Sequence, residues 1–336
     1  MDDEKEDREP DKDKIQKKNE NLEIKLIHPD DLLEALDQEK PDLFLIDFYL
    51  NERAMVKKSS GSKESKKYPY KGLTVDSIIR EKFPDIPIYC TSSHYKELIK
   101  EPVYYLIKLT FDRFLDFKDI QDKGDTILYF DAFDYKRIRE SQKNDISIIF
   151  SLLEAPDEER NKLLLTLPSS LREGLYQNLE GNSLILAKWI NNILFQNPGI
   201  LYNELYSATF LGMTLDKFQG IASNEDKINS AKYSGIFSRT NENFWWKSKL
   251  LQNVFSFDKI SGYPDKSPWI VAPDMLKIPK KSRTRCIVCK KEYPECVGTN
   301  LTNSSDNFPV HIRCSEPYLK KRPELYFEEY RGFKTS

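Results

Sequence analysis

Short apolar runs closed by polar residues alternate with helical periodicity over the first third of the chain. Leu43, Phe44, Leu45 and Ile46 form one such run, with Pro41 before it and Asp47 ending it. A continuous apolar run of this length predicts a strand buried on both faces, as in a parallel sheet. A second strand is predicted over residues 86–93, where the apolar character gives way to Thr91, Ser92 and Ser93. Residues 72–82, between the two, carry helical periodicity. Asp47 then stands at the carboxyl end of its strand, where open α/β sheets place their ligand crevice. Residues 22–28 read as a further strand and 31–39 as a helix. Residues 95–111 read as a helix interrupted near Pro102. Residues 125–140 predict a long helix with Asp125 as its N-cap.

Beyond residue 145 the pattern is helical. Apolar positions recur over 155–165, with Pro156 suited to a first turn, and over 183–195. Asn197, Pro198 and Gly199 break the pattern. Residues 201–211 predict a short apolar helix ended by Gly212. Tyr233 and Phe237, then Phe244, Trp245 and Trp246, then Trp269 make this stretch rich in aromatic residues. Two readings stand for them: core packing, or an exposed anchor for a protein partner. Residues 51–70 are polar and basic, longer than an ordinary strand–helix loop, and read as an insertion overhanging Asp47.

Composition narrows the function. A length of 336 residues predicts two or three domains, and 39% hydrophobic with 12% aromatic residues supplies real cores. The net charge of −2 gives no global field drawing the chain to nucleic acid. Without a long uncharged apolar stretch or a secretory leader pattern, the expectation is a cytoplasmic protein with no membrane association. No histidine lies between Asn144 and Val310, and neither a glycine-rich phosphate loop nor a nucleophile elbow is present. The central region therefore offers no ordered catalytic set.

The ordered series of strand–aspartate, helix and strand–threonine resembles the receiver domain of two-component response regulators, over roughly residues 1–122. The resemblance implies a flavodoxin-like α/β fold with strand order 2-1-3-4-5. Asp47 would be the phospho-acceptor, Thr91 the hydroxyl closing the fourth strand, and Lys118 the lysine after the fifth, although Asp119 follows where a proline is common. Asp2 and Asp3 would be the acidic pair holding Mg²⁺, joined by Asp47 and the backbone carbonyl of Tyr49. The strand that the family places ahead of that pair is missing before Asp2, so the resemblance implies a start upstream of Met1. A competing reading makes residues 1–20 a solvated charged tail. The implied donor is a histidine kinase. Receivers with unfamiliar outputs in bacterial stress and antiphage systems supply only an architectural analogy.

Cysteine spacing carries a second signal. Two residues separate Cys286 from Cys289, and two separate His311 from Cys314, with 21 residues between the pairs. Three thiolates and an imidazole so arranged predict a closed, structural Zn²⁺ site of treble-clef or zinc-ribbon type. The first pair suits a knuckle turn and the second a helix start. Cys296 is left over, and Cys90 reads as a buried thiol in the second strand. Lys277, Lys280, Lys281, Arg283, Arg285, Lys290 and Lys291 surround the knuckle, which keeps nucleic acid as a partner, with a protein partner expected ahead of it. The expected organisation is a receiver-like domain over 1–122, a mainly α-helical domain over 123–275 and a small zinc-finger module over 276–336. The expected function is signalling through phosphorylated Asp47. The alternatives are a pseudo-receiver scaffold that takes no phosphate and a zinc-finger nucleic-acid effector.

Overall fold

The computed structural model describes residues 5–28, 31–38, 40–50, 72–141, 147–174, 183–196, 199–256, 268–291, 296–299, 308–311 and 314. The elements in chain order begin with α1 (Lys5–Lys18), α2 (Leu32–Gln38), β1 (Phe44–Asp47), α3 (Gly72–Lys82) and β2 (Ile88–Ser92). They continue with α4 (Tyr95–Leu98), α5 (Val103–Thr110), β3 (Arg113–Asp116), α6 (Phe117–Glu140), α7 (Ser147–Leu153) and α8 (Asp157–Thr166). Next come α9 (Ser169–Gly174), α10 (Ser183–Trp189), a π-helical turn (Ile190–Leu194), β4 (Leu201–Asn203), α11 (Glu204–Phe210), α12 (Leu215–Ala222) and α13 (Asp226–Asn229). The last are β5 (Phe244–Trp246), α14 (Lys247–Ser256), α15 (Pro268–Met275), a 3₁₀ turn (Lys280–Ser282), β6 (Cys296–Thr299) and β7 (Phe308–His311). The chain is mixed α/β and forms two compact units, one of residues 1–145 with 169–188, the other of 146–168 with 189–336. The sequence-based borders at 122 and 275 differ from these, and residue 122 lies inside α6.

The first unit is built on a parallel sheet of order β1-β2-β3. All five residues of β2 are buried, which is why its sequence is continuously apolar until its hydroxyls. Ile46, Ile88 and Cys90 pack on one face with Val75 and Ile79 of α3, Ile107 of α5 and Leu32 and Leu36 of α2. Tyr89 has the opposite parity in β2, and its hydroxyl reaches Asp131 of α6. Against α6 lies α1, close enough that a Cβ on Gly124 would stand 3.1 Å from Ile15 Cδ1. The charged segment is thus a helix over 5–18 rather than a solvated tail, because Ile15 gives it one buried anchor.

Two expectations about this unit are corrected. Residues 22–28 are neither helix nor strand. Among the described residues β1 bonds only to β2, so that segment has no ladder to join. The long helix starts at Phe117, capped by Asp116, whose side chain accepts from the Lys118 N–H. Asp125 lies inside the helix because β3 runs directly into it.

The second unit is mostly helical, with two small antiparallel pairs, β4–β5 and β6–β7. Residues 201–203 form β4 rather than the start of a helix, and Tyr202 pairs in register with Trp245 of β5. Asn203 then caps α11 by accepting from the Tyr206 N–H at 3.0 Å. Tyr233, Phe237, Phe244, Trp245 and Trp246 are all buried. Their packing reading is therefore the one realised; Phe195 stacks on Phe244 at 4.6 Å and Phe218 meets Trp245 edge-on at 5.0 Å. Gly212 turns the chain out of α11 with φ +68°, and a Cβ there would run into the Trp269 carbonyl. Gly212→Ala should therefore lower the unfolding free energy by about 2 kcal/mol in a denaturant titration. A change within error would mean that neither the dihedral nor the contact constrains the fold.

Candidate metal centre and sheet-edge carboxylate

The ligand atoms of Cys286, Cys289, His311 and Cys314 all lie within 4.8 Å of one another. Residues 286–289 form a tight turn, which Lys290 leaves at φ 61°. Its backbone is fixed by the Lys290 N–H donating to the Cys286 carbonyl at 2.9 Å and the Cys286 N–H donating to the Lys291 carbonyl at 3.1 Å. Opposite it, β6 and β7 pair antiparallel, with Cys296 in register with His311. Of the pair expected at a helix start, His311 instead ends β7, whereas Cys314 is helical. The side chain of Cys296 lies outside the described residues.

The donor set fits zinc. In a zinc tetrahedron with bonds of about 2.3 Å, sulfurs stand about 3.8 Å apart, within easy contraction of the observed cluster. His311 Nδ1 already lies 3.0 Å from Cys289 Sγ. Burial pushes the Cys286 thiol up, but backbone N–H groups of His311, Cys289 and Val288 outweigh it and the net shift is downward. Cys314 is pushed up to about 11, first by burial and then by the neighbouring sulfurs. Zinc would replace those thiol protons and would leave no open coordination position. A site closed in this way would be structural rather than catalytic.

The other candidate lies at the carboxyl edge of the parallel sheet. Asp47 and Thr91 are register partners across β1 and β2. The Phe48 N–H donates to the Thr91 carbonyl at 2.9 Å. Asp47 Oδ1 accepts from the Tyr49 N–H at 3.0 Å, an aspartate turn that fixes the carboxylate. Thr91 Oγ1 donates to the Leu115 carbonyl at 3.3 Å. A Cβ on Gly72 would stand 3.0 Å from the Asp47 carbonyl oxygen, so glycine lets α3 begin hard against the strand end.

Sequence reasoning missed Arg8. Its guanidinium lies 3.8 Å from Asp47 Oδ2, 3.7 Å from Asp11 and 4.0 Å above the Phe117 ring centroid. One arginine in a dense run of charges carries no signal in sequence, because its partner comes from a distant strand. Lys118 is not brought to Asp47; it is exposed in the first turn of α6, and its ammonium has no ion pair among the described residues. Asp2 and Asp3 lie outside the described residues. Among the described residues, the cysteine–histidine cluster is the one grouping of potential ligands arranged for an ion.

Among the described residues no helix is long and apolar enough to cross a membrane. Neither a family model, nor a curated protein sequence, nor a solved structure matches the chain.

Proposed function

We propose that the first unit is a receiver-like signalling module that takes phosphate on Asp47, and that the second is an interaction module stabilised by zinc. The observation that carries this reading is the pairing of Asp47 with Thr91 at the carboxyl edge of a parallel sheet. The packing of α1 on α6 supports it. The carboxylate attacks the phosphorus of a phosphohistidine on a kinase, the O–P bond of an acyl phosphate forms as the N–P bond breaks, and the imidazole leaves and takes up a proton. Asp47, the Asp2–Asp3 pair and the Tyr49 carbonyl would hold Mg²⁺, which would offset the negative charge gathered at the phosphoryl group. Thr91 would supply a hydroxyl to the bound phosphate, and Lys118, exposed and without an ion pair to Asp47, would have to swing in to supply a cation.

A specific observation favours the pseudo-receiver scaffold as the second reading. The Arg8 guanidinium already offsets the Asp47 charge, a role that a metal ion would otherwise fill. The two readings separate on incubation with acetyl phosphate and Mg²⁺. The phosphate-accepting reading expects one base-labile phosphate per chain by intact mass, absent in Asp47→Ala. The scaffold reading expects no phosphate on either the parent chain or Arg8→Ala, with Arg8→Ala less stable to heat. That second pattern would overturn the signalling proposal.

A further inference from the structure

The seven basic side chains between residues 277 and 291 are accompanied by no acidic one, in a chain whose net charge is −2. Lys277, Lys280, Lys281, Lys290 and Lys291 are all exposed. None of these five has an acidic partner among the described residues, whereas Arg283 is held by Asp274 at 2.5 Å.

A run of exposed lysines is ordinarily only a solvated face. Here the backbone that carries it is stitched to the folded core. Ile278 is buried, and its N–H donates to the Pro273 carbonyl at 2.7 Å. The Thr214 N–H donates to the Ser282 carbonyl at 2.9 Å, the Thr284 N–H to the Gly212 carbonyl at 3.2 Å, and Arg283 bridges to Met213. The Thr284 hydroxyl donates to the Met213 carbonyl. Lys290 and Lys291 project from the knuckle turn. The cations are thus displayed from two fixed turns, which limits the ordering entropy lost on binding.

Protein-binding surfaces are depleted in lysine and enriched in aromatic residues and arginine. Residues 277–291 contain no aromatic residue, and the aromatic cluster of residues 233–246 is spent on the core. Single-stranded nucleic acid is held largely by stacking on aromatic rings. A lysine-rich surface without such rings suits a regular array of phosphates instead.

We propose that the lysine face of residues 277–291 binds the phosphate backbone of duplex nucleic acid without reading its sequence. Neutralising five phosphates gives a slope of log affinity against log salt of about −4.5, a loss on the order of 500-fold between 50 and 200 mM salt.

The test is fluorescence anisotropy of the full-length chain with a labelled mixed-sequence DNA duplex across salt concentrations. The triple variant Lys280→Gln, Lys281→Gln, Lys290→Gln should flatten the slope by about three and weaken binding at least tenfold at low salt. Lys280→Arg with Lys281→Arg should keep it. Lys96→Gln with Lys100→Gln, which removes exposed charge from α4 and the turn after it, should leave the slope unchanged. Failure of the parent chain to bind duplex at low salt overturns the proposal. So does equal weakening by the Lys96/Lys100 control. Tighter binding of a single strand of the same length, or of polyglutamate, would also overturn it and reassign the surface to stacked bases or an acidic protein.

Discussion

Stripping zinc from the protein should unfold the knuckle over 286–291 and the β6–β7 ladder while leaving the parallel sheet of β1, β2 and β3 intact. Among the described residues the buried cluster at the ligands is small: Cys286 and Val310 are buried, with Ile287, Cys289 and Cys314 partly buried against them, and β6 and β7 also pack against α11. Burying one such side chain contributes about 1.5–3 kcal/mol, and an isolated two-stranded hairpin is marginal at best in water. Beside its packing on α11, the β6–β7 ladder therefore draws its stability from a cross-link between the knuckle and His311. Structural zinc supplies an apparent binding free energy of about 10–16 kcal/mol at neutral pH. The purified protein should carry about one zinc per chain by elemental analysis. Chelation, or Cys289→Ser, should abolish amide-exchange protection across the knuckle and hairpin. The segment carrying Lys277, Lys280 and Lys281 should stay protected, because its hydrogen bonds to residues 212–214 do not involve the metal. Absence of stoichiometric metal together with a protected hairpin would refute the site.

That centre was legible in the sequence because its signal is local. Two pairs of ligands, each with two residues between, fix the donor set before any fold is known. β1, α3 and β2 were legible for a similar reason: an apolar run or a helical stripe declares its own burial. What stayed hidden depends on partners distant in sequence. Residues 22–28 have the composition of a strand, but a strand exists only with a ladder to join. Leu201 and Tyr202 looked like the first turn of an apolar helix. The choice falls to a strand because Trp245 and Trp246 offer an edge, and Asn203 then starts the helix anew. Asp116 and Asp125 are equally able to cap a helix on paper, and only the end of β3 decides between them. At the sheet edge Asp47 and Thr91 could be placed, but not Arg8, whose contact with Asp47 requires α1 to lie on α6.

The buried acids of the first unit follow the same logic, and they set the second large effect. Asp131→Ala should lower the unfolding free energy by about 3–5 kcal/mol. Asp131 is fully buried on α6, where Oδ2 accepts from the Tyr89 hydroxyl at 2.6 Å and from Arg113 Nη1 at 2.5 Å. Burial, and then the Asp131 charge, push the Tyr89 phenol well above its ordinary pKa, so it remains a neutral donor. Removing the carboxylate leaves that hydroxyl without this acceptor and leaves the guanidinium at the start of the edge strand β3 largely desolvated. An unpaired buried charge costs far more than an unmade surface contact. The contrast is Asp37→Ala, which breaks an ion pair with Lys82 at a largely exposed carboxylate and should cost under about 1 kcal/mol. Chemical denaturation of both variants measures the difference. A cycle with Tyr89→Phe then apportions it: if the phenol carries part of the effect, the double variant should lose less than the sum of the single losses. Equal small losses for Asp131→Ala and Asp37→Ala would show that water reaches the Asp131 site and that this network does not hold β2 and β3 to α6.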